Sequence, residues 1–124
     1  MIDACSIREL LETYEKHGWI LRRVLLSAAL SKELGNETSG LFVNVPINDS
    51  DIDAAWFSRP PKPGGVAWEI RYLGDIPYAL LERLDENAPE FDEQLAAVES
   101  QLRDAVAKNN RLDNRLPRTA NLDR

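Results

Sequence analysis

Residues Val66 to Leu84 read VAWEIRYLGDIPYALLERL. In the first half Val66, Trp68, Ile70 and Tyr72 alternate with Ala67, Glu69, Arg71 and Leu73, the period of two that sets one apolar row on one face of a strand. The second half, Tyr78 to Leu84, is composed mostly of helix formers but also alternates through Tyr78, Leu80 and Leu84. If Gly74 to Ile76 form a three-residue loop, Tyr72 faces Tyr78, Ile70 faces Leu80 and Val66 faces Leu84, so register favours a hairpin of two strands. Glu82 is the exception, an acid opposite Trp68.

Upstream, Ile52, Ala54, Trp56 and Ser58 alternate in the same way, and the intervening PPKPGG at 60–65 reads as a turn. The register consistent with that turn places Ile52 by Tyr72, Ala54 by Ile70, Trp56 by Trp68 and Ser58 by Val66. The opposite face then carries Asp53, Ala55, Phe57 and Arg59, followed by Ala67, Glu69, Arg71, Leu73, Ala79, Leu81 and Arg83. In this register Asp53 falls opposite Arg71.

Ile7, Leu10, Leu11 and Tyr14 recur at the spacing of one helical face, with Asp3 or Ser6 as the cap and Gly18 as the stop. The run Trp19 to Leu26, WILRRVLL, reads as a buried strand. Its Arg22 and Arg23 are adjacent, so one of them must point toward the core or lie at the strand end. A buried arginine requires a carboxylate, and Glu82 is the natural partner for Arg22 or Arg23. Ser27 to Leu34 reads as a short helix capped by Ser27 and stopped by Gly35. Residues 36–50 read as irregular. The acids Asp49, Asp51 and Asp53 alternate like part of a calcium loop, but the glycine and closing glutamate of such a loop are missing. Phe91, Leu95, Val98, Leu102 and either Ala105 or Val106 form the seam of a long final helix behind Pro89.

These elements predict an α+β two-layer sandwich, with a four-stranded antiparallel sheet near 19–26, 52–59, 66–73 and 78–84. Helices near 4–17 and 89–108, at the two ends of the chain, pack on one face. Residues 1–108 make the single domain, and 109–124 make a polar tail expected to be mobile or ordered only against a partner.

Charge and composition exclude more than they assign. The 124 residues carry 21 acids and 15 bases, a net charge of −6; the tail holds four Arg and two Asp, a net of +2, which leaves −8 on the body. Such a body repels a phosphate backbone, so nucleic acid is disfavoured as a partner. One cysteine, Cys5, allows no internal disulfide, and no apolar run approaches the roughly 18 residues of a membrane span, so a cytoplasmic location is expected. His17 is the single histidine, which leaves no Ser-His-Asp, Cys-His or multi-histidine metal site within one chain. No catalytic residue, metal or cofactor is therefore assigned, and no phosphate loop accompanies Pro63-Gly64-Gly65.

Two surfaces remain. The mixed face of Phe57, Arg59, Glu69, Arg71, Leu73, Leu81 and Arg83 combines apolar and arginine side chains, the composition of protein interfaces. It supports a non-enzymatic interaction module that self-associates as a homodimer and uses the open sheet face or an edge strand to hold a protein partner. The alternative is a small-molecule site or enzyme, with a cleft between sheet and helices lined by Arg22, Trp56, Trp68, Tyr72 and Glu82.

Tyr14-Glu15, Gly18-Trp19, Leu21 to Leu26, Trp56 to Pro60 and Trp68 to Arg71 together resemble a group of short bacterial proteins to which no activity is assigned. The resemblance spans most of the body and carries over no site residues. In size, charge and class the chain is also similar to the small acidic dimeric chaperones of bacterial secretion systems, which implies partner binding without catalysis.

Overall fold

The computed structural model describes residues 2–62 and 65–115, and the side chains of 2–59 and 66–108. Helix α1 (Ala4–Lys16) begins at Asp3, whose Oδ1 accepts the Ser6 N–H at 2.8 Å. That hydrogen bond holds the Asp3 carboxyl below its usual range. Gly18 stops the helix at φ +86°, a conformation in which a side chain is strained. Strand β1 (Ile20–Leu26) follows, then α2 (Ala28–Leu34) capped by the Ser27 hydroxyl, a 3₁₀ turn over Gly35–Glu37, and α3 (Thr38–Leu41). Strands β2 (Ile47–Asp49), β3 (Ala54–Lys62), β4 (Gly65–Tyr72) and β5 (Ala79–Leu84) precede the long helix α4 (Phe91–Arg115). The remainder of the expected tail, 116–124, lies outside the described residues.

The sheet has five strands rather than four, in the order β2-β1-β3-β4-β5. It is mixed, because β2 runs parallel to β1. A parallel pair requires a crossover longer than a hairpin, and here α2 and α3 supply it. Strand β2 escapes sequence reading because all three of its residues are exposed, so no buried row marks it. It joins the sheet through backbone bonds such as Val24 N–H to Pro46 O at 3.0 Å.

The helices also lie on both faces, which corrects the two-layer expectation. Leu95, Val98, Leu102 and Val106 of α4 pack with Trp56, Trp68, Ile70 and Leu84. On the opposite face α1, α2 and α3 close over Val24, Leu26, Ala55, Phe57 and Leu73. Apolar side chains at both parities of β3, Ala54 and Trp56 against Ala55 and Phe57, require two covers.

The β4–β5 pairing agrees with expectation, including Trp68 opposite Glu82 and Val66 opposite Leu84. The β3–β4 pairing is displaced by two residues, with Ala54 opposite Tyr72, Trp56 opposite Ile70 and Ser58 opposite Trp68. Strand β3 runs on through Pro60 and Pro61 to pair Lys62 with Gly65, so the turn is shorter than PPKPGG. The prolines fall beyond Ser58, where the pairing of β1 with β3 ends, and within the irregularity between Arg59 and Lys62 in the β3–β4 pairing, positions at which a missing N–H is tolerated. Ala55 consequently lies opposite Arg71, and Asp53 instead accepts the Ser27 N–H at 2.6 Å.

Candidate interaction surface

The arginine pair is accommodated by a bulge. Leu21 pairs with Phe57 and Arg23 with Trp56, leaving Arg22 as the extra residue of β1. Leu21 and Val24 both belong to the α1-side cluster, so the bulge lets Arg22 turn to the α4 side. There its Nη1 donates to Ser58 Oγ at 2.9 Å, its Nη2 to Glu86 Oε2 at 2.8 Å, and its Cζ lies 4.7 Å from the Trp68 ring centroid. Glu86, not Glu82, is the carboxylate that Arg22 engages.

Of the expected ligand cleft, the two tryptophans belong to the buried cluster under α4. Trp56 and Trp68 meet edge to face at 6.1 Å and are buried, with Phe91 edge-on to Trp68 at 5.1 Å. Trp56 Nε1 donates to Glu99 Oε2 at 2.7 Å, while the buried Trp68 Nε1 has no hydrogen-bond partner among the described residues. Tyr72 packs, half-buried, against the same cluster and also lines a shallow cavity of about 240 Å³ with Asp51 and Arg103. Arg103 Nε donates to Asp51 at 2.8 Å and lowers that carboxyl from its usual range.

The expected mixed face is divided by α1. Phe57 and Leu73 are 1% and 2% exposed, because Tyr14 stacks on Phe57 at 4.0 Å and the α1-side cluster closes over Leu73. The Tyr14 hydroxyl donates to Glu69, and burial, then this bond, pushes the phenol well above its usual range. Arg71 lines a polar cavity of about 550 Å³ with Ser6, Thr13 and Glu9. Arg59 turns its guanidinium over the Trp19 ring, 4.8 Å from the centroid. Leu81 and Arg83 remain exposed on β5.

A cavity of about 650 Å³ forms a groove on the α1 side. One wall is α1, through Arg8, Leu11, Glu12 and Glu15; the other is the α3–β2 connection, through Gly40, Leu41, Val43 and Val45. Trp19, Ile20, Leu21 and Phe57 complete it. Ile20 is 53% and Val43 60% exposed, two of the most exposed large apolar side chains of the described residues. Strand β2 pairs only with Val24 to Leu26, so the first half of β1 beside this groove has β3 on one flank and, among the described residues, no strand on the other.

No family model, curated protein or solved structure matches this chain. The groove therefore stands on its geometry. Sequence reading missed Ile20 and Val43 as surface residues, although Leu41, Phe42, Val43 and Val45 form a run more apolar than a solvated loop requires. Among the described residues no three His, Cys, Asp or Glu side chains gather as a metal site, and no helix is long and apolar enough to cross a membrane.

Proposed function

We propose that this chain is a non-enzymatic, self-associating interaction module, chaperone-like in holding an extended apolar segment of a partner protein in the groove beside α1. The observation that carries the reading is the pair Ile20 and Val43, both more than half exposed on a single groove next to the flank of β1 that β2 leaves uncovered. Exposed apolar side chains gathered at a concavity mark contact sites, and a free strand flank offers backbone groups to an extended chain. Glu12 and Glu15 outnumber Arg8 on the rim, and the body carries −8, so the segment expected here has basic residues beside its apolar ones.

The test is a set of labelled synthetic peptides with alternating apolar residues, flanked either by lysine or by glutamate, titrated by fluorescence anisotropy. Lysine-flanked peptides should bind, glutamate-flanked ones more weakly, and Val43→Asp should abolish binding while leaving the melting temperature nearly unchanged. Binding indifferent to Val43→Asp, or no binding by any peptide, overturns the reading. A volume of about 650 Å³ also suits a small apolar ligand. That second reading gains if a small fluorescent apolar dye is displaced by no peptide.

A further inference from the structure

The two edges of the sheet are not equivalent. Edge β2 has three residues, follows Pro46, and ends in Asn48 and Asp49, features that discourage strand addition. Edge β5 has six residues, reads ALLERL, and pairs with β4 from Leu84 to Ala79 without a bulge. Its Ala79, Leu81 and Arg83 are exposed, Leu81 at 61%, and among the described residues no β5 side chain belongs to the cluster under α1. An unbulged, mostly apolar edge without proline invites another strand.

We propose that β5 pairs antiparallel with β5 of a second copy about a two-fold axis, with Leu81 opposite Leu81, joining the two sheets into one. The backbone selects this register. Tyr72 N–H donates to Tyr78 O at 2.8 Å, and hydrogen-bonded pairs alternate along an antiparallel ladder. Leu80, Glu82 and Leu84 therefore turn their backbone groups to β4, while Ala79, Leu81 and Arg83 turn theirs outward. With Leu81 on the axis, Ala79 meets Arg83 of the other copy and the outward N–H and C=O groups of these three residues are all used. Moving the axis to Glu82 sets two glutamates directly opposite each other. Moving it to Leu80 sets Arg83 opposite Pro77, which has no N–H to donate. Self-complementarity of this kind is what a two-fold interface requires, and it identifies the occupant as a second copy.

This pairing rests on the self-association in the proposed function and gives it a strand and a register. Peptide capture by the groove does not depend on it, so the two readings fail separately. The full chain is measured by sedimentation velocity across a concentration series, beside Leu81→Pro and Leu81→Lys. The outward Leu81 N–H takes no part in the β4–β5 ladder, so Leu81→Pro should keep its circular dichroism and raise the dimer dissociation constant by about tenfold or more. In a Cys5→Ser background, Leu81→Cys should cross-link to a disulfide dimer on mild oxidation, because directly opposite residues bring Cα atoms to about 5.5 Å. A monomer at every concentration overturns the proposal, as does a dimer that Leu81→Pro leaves intact. Cross-linking through Leu80→Cys or Glu82→Cys in place of Leu81→Cys overturns the register.

Discussion

Arg22 pairs with Glu86, whose Oε2 lies 2.8 Å from Nη2, although Glu82 is the acid that sequence register places on the same face. Arg22 and Glu86 are about one-third and one-half exposed, so the pair contributes little by itself, on the order of 0.2–1 kcal/mol. The guanidinium also satisfies the hydroxyl of buried Ser58 and covers Trp68.

A double-mutant cycle by urea unfolding separates the two acids. Arg22→Met with Glu86→Gln should show a coupling of about 0.2–1 kcal/mol, and Arg22→Met with Glu82→Gln a coupling near zero. The single Arg22→Met should cost about 1–3 kcal/mol, because the Ser58 hydroxyl loses its partner. A larger coupling through Glu82 than through Glu86 would restore the sequence expectation.

Tyr14 sets an alkaline limit. The unfolded chain releases its phenolic proton near the ordinary value of about 10, whereas the folded state holds it well above. Its contribution is therefore fully present below about pH 10 and is lost as pH rises toward the folded value. Tyr72 is raised too, by burial and then by Asp53 and Asp75, and acts in the same direction. Stability measured against pH should fall above about pH 10, and Tyr14→Phe should flatten part of that fall while lowering neutral stability by about 1–2 kcal/mol. An identical alkaline fall in Tyr14→Phe would remove Tyr14 as its source.

The two paired tryptophans should respond differently to loss of the indole nitrogen. Trp56→Phe removes a hydrogen bond to Glu99 together with ring volume, while Trp68→Phe removes a buried N–H that has no partner among the described residues. Thermal unfolding should therefore show Trp56→Phe to be the more destabilising, by about 1–2 kcal/mol. Equal losses would mean that packing alone governs both positions.

Two glycines should give effects of opposite sign. Gly18 sits at φ +86°, so Gly18→Ala should cost about 1–2 kcal/mol through backbone strain alone. Gly40 lies within α3 with nothing within 4 Å of an added Cβ, so Gly40→Ala should be stabilising by about 0.4–1 kcal/mol. Melting curves of the two variants decide the matter, and a stabilised Gly18→Ala would refute the strain.

Much of the architecture is legible in local pattern. The α1 stripe, the Ser27 cap, the α4 seam and the β4–β5 register all follow from side-chain periodicity, because period and capping are properties of neighbouring residues. Phe57 and Leu73 carried a further signal, since large apolar residues on both parities of one sheet imply two covers. Their reading as an open face failed because composition alone cannot distinguish a face that meets solvent from one that meets the protein's own helix.

The chain by itself thus determined α1, α2 and α4, the β4–β5 hairpin and the face on which each residue of β3, β4 and β5 falls. Tertiary structure decided the bulge at Arg22, the parallel strand β2, the partner of Arg22 and the groove flanked by Ile20 and Val43. The physical reason is that these depend on which distant segments come together. A bulge changes side-chain direction through one unpaired residue, and an exposed edge strand is held by backbone bonds that leave no mark on side-chain periodicity.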